Sequence, residues 1–282
     1  MQPGTTADRL ERLGAELARL RGDLELPADA SIVIPVNAQS DLANVLVILG
    51  DLARYRGRRT FEVLLVINNY RPDDPPEEIQ AYRAANVRVV SVPNVWRAGE
   101  AVCFSARIPG IRSAEASWIV LFDADCRVPN ATLLLDWYAD QLGGGATVAY
   151  TRVGHYDLRP VWSVRARIAA HHLSRWVKRV LLRIPTTRGS NYGVQRAAFL
   201  RAYEGGLLAD DLNVGPALKA GGGRVVYSGA PNLQVLTSGR RFRGGWRRLA
   251  HYLRYRLLYN VRMLRARAHE RDKSPYHQRP LR

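Results

Sequence analysis

Trp118-Ile119-Val120-Leu121-Phe122-Asp123-Ala124-Asp125 is the stretch that decides the fold. Its apolar run, rich in β-branched and aromatic residues, reads as a short buried strand. Two carboxylates one residue apart come next, at its C-terminal end. Carboxylates in so apolar a setting are costly unless a cation or hydrogen bonds compensate them. In an open α/β sheet, that end of a strand is also where ligands bind. A hard divalent cation, Mg²⁺ or Mn²⁺, held by Asp125 and Asp123 together with phosphate oxygens, meets both conditions. A plain turn meets the local pattern equally well, because Asp favours turns.

Strands and helices alternate on either side of this stretch. Upstream, the patterning predicts strands over Ser31–Val36, Phe61–Ile67 and Val87–Val92. Helices are predicted over Leu42–Arg56, around Glu77–Ala85 and over Gly99–Ala116, the last interrupted at Pro109-Gly110. A helix over Pro129–Gln141 comes after the decisive strand. This β-α-β-α rhythm implies a doubly wound, mostly parallel sheet flanked by helices. Asn37, Asn68 and Asp123 each lie just past a predicted strand and therefore share one rim. At the start of the chain, Leu10, Leu13, Leu17, Leu20 and Leu24 have helical spacing. That helix either packs on the body or forms a dimer seam.

After residue 145 the rhythm changes. Thr147–Val153, Gly223–Ser228 and Leu233–Leu236 read as strands, and Gly189–Val194 as an extended or looped piece. Gln195–Tyr203 and Leu212–Lys219 read as short helices. Two longer helices are basic. Val161–Ile184 has Trp162, Ala169, Leu173, Trp176 and Val180 along one face, and Gly245–Ala268 has Trp246, Leu249, Leu253, Leu257, Val261 and Leu264.

Charge has the same division. Residues 159–188 hold eight Arg or Lys and no acid, and residues 240–282 hold fourteen against Glu270 and Asp272, a net of +12. Together these segments carry +20 of the chain's total of +17, so the rest of the chain stands at −3. A near-neutral body thus bears two basic attachments, which suit phosphates of a substrate, a nucleic acid or an anionic membrane surface. Each basic helix fits either an interfacial helix on anionic lipid or a helix whose apolar stripe packs on the body. No zinc-finger spacing or aromatic RNA-binding motif supports nucleic acid as the partner. No apolar run approaches the roughly 18 residues of a spanning helix, and no basic-then-apolar leader opens the chain. Cys103 and Cys126 offer no framework or ligand spacing, and the six histidines form no ligand pair. The expectation is a cytoplasmic protein, with a peripheral place on the inner face of a membrane as the variant that the basic helices suggest.

Several motifs occur in an order that resembles the family-2 glycosyltransferases, which have the GT-A fold. The likeness runs from about Ala30 to Arg241. It rests on Ser31-Ile32-Val33-Ile34-Pro35-Val36-Asn37, on Phe61–Asn69 and on Ala106-Arg107-Ile108-Pro109-Gly110-Ile111. It rests further on Val120–Asp125, on Gly189-Ser190-Asn191 with Gln195-Arg196, on Ala209-Asp210-Asp211 and on Thr237-Ser238-Gly239-Arg240-Arg241.

The resemblance implies a GT-A sheet with a basic C-terminal helical extension. An amphipathic helix fills residues 1–26 and a catalytic domain residues 27–241, divided into a nucleotide-binding half (27–142) and an acceptor half (143–241). The basic helix and tail occupy 242–282. It implies a nucleoside diphosphate sugar donor and a hydroxyl acceptor, lipid-linked or anionic. Pro35, Asn37 and Asn68 would line the nucleoside pocket, with Asn68 where many relatives have Asp. Arg107 would support the nucleotide end, although Ile108 replaces its usual Asn neighbour. Asp123 would contact ribose or sugar as well as the metal, and Asp125 the metal. Asp211 would be the catalytic base beside Asp210, where the family usually has Glu, and Arg240 and Arg241 would approach the diphosphate. Thr237 and Ser238 stand where many relatives supply a metal-binding His, so a third protein ligand stays unassigned.

The expected reaction is inverting sugar transfer with an Asp base. A retaining transferase, a sugar nucleotidyltransferase on a similar fold, and a non-enzymatic basic nucleic-acid-binding or scaffold protein stay open at this point.

Overall fold

Long apolar strands flanked by amphipathic helices need both sheet faces covered, and the computed structural model shows how this chain covers them. It describes residues 6–22, 26–69, 82–83, 87–92, 102–159, 161–239, 242, 246–247, 250–251 and 253–254. The helices are α1 (Thr6–Arg21), α2 (Leu42–Leu52), α3 (Val102–Ser113), α4 (Ala131–Gly143), α5 (Trp162–Val180), α6 (Arg196–Glu204) and α7 (Asp211–Ala220). The strands are β1 (Ala30–Asn37), β2 (Phe61–Asn68), β3 (Arg88–Ser91), β4 (Trp118–Leu121), β5 (Val148–Thr151), β6 (Val153–His155), β7 (Tyr192–Gln195), β8 (Val225–Ser228) and β9 (Val235–Thr237).

Seven strands form one sheet in the order β3-β2-β1-β4-β7-β5-β8. All neighbouring pairs are parallel except those made by β7. Alternate residues of β1 and β2 serve two cores. Ile32, Ile34, Val36, Val63 and Leu65 pack with α1, α2 and α4. Val33, Leu64 and Val66 pack on the other face with Phe104, Ile111, Phe199 and Val214 from α3, α6 and α7. Burial on both faces is why these strands read as continuous apolar runs.

The register produces the shared rim predicted for Asn37, Asn68 and Asp123. Asn37 pairs with Asn68, and Val33 with Leu121, so all three residues leave the same edge of the sheet. The β4 ladder stops at Val33, four residues before β1 ends. Val33 accepts from Phe122 N–H at 3.3 Å, so Pro35, two residues on, turns its missing donor toward the same side, past the paired part of β4.

Several elements differ from the sequence reading. α3 runs through Pro109-Gly110 without a break. Proline removes one helical hydrogen bond, yet this helix is pressed on the sheet. A Cβ on Gly110 would lie 2.4 Å from Val66 Cγ2 and 2.8 Å from Val33 Cγ1, so glycine is what permits the contact. The single strand expected over Thr147–Val153 divides at Arg152. β5 stays in the main sheet, and β6 pairs with β9 in a two-stranded sheet. The piece over Gly189–Val194 becomes β7, inserted antiparallel between β4 and β5. An antiparallel strand starts where its parallel neighbours finish, so β7 places residues 187–191 at the rim that carries Asp123.

α1 buries Leu10, Leu17 and Leu20 to within 2 % exposure against α2 and β2 of its own chain. The packing reading of this helix therefore holds, and those leucines are not available for a dimer seam. α5 does the reverse. Its apolar stripe, for which packing on the body and lipid contact both stood open, faces outward, and Val164, His171 and Lys178 lie on its buried side. The helix expected around Glu77–Ala85 falls largely outside the described residues, as do most of Gly245–Ala268 and all of Arg240 and Arg241. No described helix is long and apolar enough to cross a membrane.

Candidate active site

The Asp123-Ala124-Asp125 segment forms a turn in which Cys126 N–H donates to the Asp123 carbonyl at 3.0 Å. The turn reading therefore holds. This turn keeps the Asp123 and Asp125 carboxylates and the Cys126 sulfur within 4.8 Å of one another. Asp51, 2 % exposed, anchors Arg127 and Val128 by accepting from Arg127 Nε at 2.9 Å and Val128 N at 2.8 Å, and it also accepts from Arg54. Arg127 in turn exchanges backbone hydrogen bonds with Leu236, and this brings Thr237 to the turn. The Thr237 hydroxyl donates to Asp125 Oδ1 at 3.2 Å. Ser238 instead donates to Asp157 at 2.7 Å.

Arg107 occupies the centre. α3 carries it across the sheet, and its side chain is fully buried. It donates to Asp123, to Asp211 and, at 2.9 Å, to the Gly189 carbonyl. Burial alone would disfavour the charged guanidinium. Asp211 and Asp123 more than offset that, and its pKa moves up, so it stays a cation. Sequence resemblance placed Arg107 at the nucleotide. The structure shows it between two carboxylates, Asp123 and Asp211, whose positions it ties together.

Asp211 is the first residue of α7, and Asp210 caps that helix by accepting from Leu212 N–H at 2.8 Å. Asp211 is 7 % exposed. One of its oxygens accepts from Arg107 and the other from the Tyr192 hydroxyl at 2.9 Å. Burial pushes its pKa up to about 6; Arg107 pulls it down, whereas Asp210 and Asp123 add to the rise. Burial also raises the Tyr192 phenol, so it remains a donor. The loop before β7 is fitted to this group. Thr187 donates to the Asp211 carbonyl, and a Cβ on Gly189 would meet Asp211 Oδ2 at 2.6 Å and both Arg107 terminal nitrogens at 2.7 Å. Asn191 accepts from Tyr138 and donates to Thr151 Oγ1 at 2.6 Å, which anchors the loop in the core.

At the β1–β2 end of the rim, Asn37 Oδ1 accepts from Gln39 N–H and Asn69 Nδ2, both at 3.0 Å. Asn69 holds a left-handed φ of 56°, a conformation that Asn tolerates better than most residues. Asn68 is buried and turns its amide back toward the Val66 carbonyl at 3.5 Å. Pro35 is half-buried on the same edge.

The structure therefore brings Asp123, Asp125, Arg107 and Asp211 together, with Asn37, Asn68 and Pro35 further along the rim. Tyr192 and Thr187 belong to the site and were not singled out in the sequence. Gly189 and Asn69 also belong to it, and entered the sequence reading only as members of quoted motifs, without a role of their own.

The donor set suits a hard dication. Two carboxylates converge, and Asp123 keeps 36 % of its side chain exposed. Cys126 adds little as a ligand. It is buried, donates to the Ser190 carbonyl at 3.4 Å, and burial with Asp123 and Asp125 pushes its thiol pKa well up.

The surroundings of His172 are cationic. His171 contacts Arg188, and the Phe242 ring meets His155 at a tilt and His171 edge-on, with centroids 4.7 and 5.5 Å apart. Burial, then Arg152, Arg188 and Arg175, hold His172 down at about 4.

No family model matches the chain, and no curated protein matches its sequence. Solved structures do. One is the mannosyltransferase from Pyrobaculum calidifontis in complex with GDP-Man and Mn²⁺, at 14 % identity and a TM-score of 0.55, covering 97 % of this chain and 78 % of that one. Another is GalNAc-T7 with UDP, GalNAc and Mn²⁺, at 16 % identity and a TM-score of 0.53, covering 76 % of this chain and 44 % of that one. At these identities the likeness is one of fold, and the fold is GT-A.

Proposed function

We propose that the protein transfers a sugar from a nucleoside diphosphate sugar to an acceptor hydroxyl, with a divalent cation at Asp125 and Asp123. The observation that carries this reading is Arg107, which ties Asp123 at the end of β4 to Asp211 at the start of α7. Carboxylates from two distant stretches of sequence thereby share one site. The GT-A fold of proteins solved with GDP-Man, UDP and Mn²⁺ agrees with it.

When bound, Mg²⁺ or Mn²⁺ would neutralise charge on the leaving diphosphate. The chain supplies the rest. Pro35, Asn37 and Asn68 would border the nucleoside, with Asn69 holding Asn37 in place. Arg240 and Arg241 are the cations assigned to the diphosphate. Asp211 would take the acceptor proton as the acceptor oxygen bonds to the anomeric carbon. The carbon–phosphate-oxygen bond breaks, and its electron pair leaves with the diphosphate. A carboxyl with a pKa raised to about 6 is suited to such a transfer near neutral pH. Arg107 and Tyr192 fix its orientation. Asp210, as the helix cap, would hold the start of α7.

The cations around His172 favour an acceptor with an anionic group. A lipid-linked phosphate would satisfy this and would bring the reaction to a bilayer surface, the peripheral placement expected from the basic segments.

Asp211→Asn should fold, bind nucleotide with Mn²⁺, and lose about 10²-fold or more in turnover. Wild-type turnover would remove Asp211 from the role of base. Asp125→Ala should abolish Mn²⁺-dependent nucleotide binding in calorimetry, and an unchanged titration would overturn the metal site. The near-complete burial of Asp211, with both oxygens engaged, favours a second reading in which no side-chain base is used and the anomeric centre is retained. Proton NMR of the anomeric signal in the first product separates the two.

A further inference from the structure

We propose that α5 seats the protein on an anionic phospholipid surface. This inference stands apart from the donor chemistry and rests on the orientation of one helix. On α5 and its C-terminal turn, Trp162 is 79 % exposed, Leu173 60 %, Trp176 45 %, Val180 47 %, Leu181 63 % and Leu182 47 %. Trp162, Arg165, Ala169, Leu173, Trp176 and Val180 are the exposed residues within the helix, and their spacing forms one continuous stripe. All but Arg165 are apolar. The opposite side, with Val164, His171 and Lys178, is the buried one. An ordinary surface helix turns the apolar face in. A large, contiguous apolar surface rimmed by polar groups marks an interaction site.

The stripe continues sideways into a depression of about 410 Å³ whose lining includes Leu173, Val177, Leu182 and Leu253 together with Lys178 and Arg254. The outward face is therefore a broad band and not a single ridge.

Charge selects the occupant. Residues 159–188 carry eight Arg or Lys and no acid. Arg159, Arg165 and Arg183 are exposed around the stripe. Tryptophan and leucine on one face with Arg beside them is the composition of a helix that lies in a bilayer interface, where tryptophan concentrates. Anionic headgroups would neutralise the flanking arginines. A second copy of this chain seated on α5 would oppose the same basic segment to itself, because a twofold contact uses the same patch on both partners. That arrangement places like charges together and is disfavoured.

Vesicle flotation of the full chain tests the proposal, with phosphatidylcholine vesicles compared against vesicles containing phosphatidylglycerol. At low salt the wild type should float with the anionic vesicles and not with the neutral ones. The double variant Leu173→Ser/Trp176→Ser leaves net charge unchanged and should lower the floated fraction at least 5-fold, with its thermal midpoint within a few degrees of wild type. Leu173→Glu should lower it further. Absence of wild-type flotation on anionic vesicles would overturn the proposal. So would flotation that the double variant leaves intact, because the C-terminal basic segment would then be the contact. A wild-type dimer in sedimentation that Leu173→Glu dissociates, with no vesicle binding, would assign the stripe to a second copy instead.

Discussion

α1 and α5 are both amphipathic helices with an apolar stripe at helical spacing, yet the fold uses them in opposite ways. α1 turns Leu10, Leu17 and Leu20 into the core. α5 turns Trp162, Leu173 and Trp176 out, and buries His171 and Lys178. Periodicity establishes that a helix has an apolar face. It does not say what covers that face. The contrast extends to the two regions these helices border. Around β1 and β2 the protein is held by packed aliphatic residues. Around β7 and α7, buried charge and hydrogen bonds through Arg107, Asp211, Tyr192 and Asn191 are added to the apolar packing of Val194, Val214 and Leu218.

The largest effect that would break this comparison is at α1. Leu17→Asp buries a charge without a partner, and we expect a loss above about 4 kcal/mol, enough to abolish cooperative unfolding in a thermal melt. Next is the polar side. Arg107→Ala leaves Asp123 and Asp211 without their shared cation, and chemical denaturation should show a loss of about 3–5 kcal/mol. A loss below about 1 kcal/mol, the ceiling for an ordinary exposed ion pair, would mean that the two carboxylates are not held by this residue. Tyr192→Phe removes one donor to Asp211 and should cost about 1.5–3 kcal/mol. It should also raise the pH at which activity appears, because the ionised carboxylate loses a hydrogen bond. The smallest effect is expected on α5, where Leu173→Asp should change stability by no more than about 0.5 kcal/mol. A large loss there would place the stripe inside the structure after all.

Proton linkage offers a sharper distinction. The Asp211 carboxyl has its pKa raised from 3.8 to about 6 by burial, so the folded chain holds this proton more tightly than the unfolded chain does. Between those values, rising pH takes stability away from the wild type. Asp211→Asn lacks this proton, so the stability difference between variant and wild type should shift in the variant's favour as pH rises from about 4 to 6. If Asp211 is the base, wild-type turnover should rise through the same region with an inflection near 6 and a dependence on one proton. A rate independent of pH between about 5 and 7 would contradict the role.

Much of the rim was legible because it depends on parallel strands of known direction. Once Ser31–Val36, Phe61–Ile67 and Ser117–Phe122 are read as strands, Asn37, Asn68 and Asp123 must emerge together. The role of Asn69 was not legible, since which of two adjacent asparagines bonds to Asn37 depends on the left-handed turn at residue 69. β7 was seen only as an extended piece, because Gly189, Ser190 and Asn191 carry no strand propensity. Its place between β4 and β5 comes from non-local pairing. The break assigned to Pro109-Gly110 failed for a related reason: sheet contact at Gly110 holds the helix through a residue that local rules treat as a stop.

From its sequence alone this chain determined an alternating α/β body, two carboxylates at the end of a buried strand, and two basic segments apart from a near-neutral remainder. Those features are local, since they depend on residue type, spacing and strand direction. Tertiary structure decided that Arg107 lies between Asp123 and Asp211, and that the apolar side of α5 faces out. Both outcomes depend on which surfaces meet across the fold. Desolvation and charge pairing at such meetings outweigh any preference that a single segment carries.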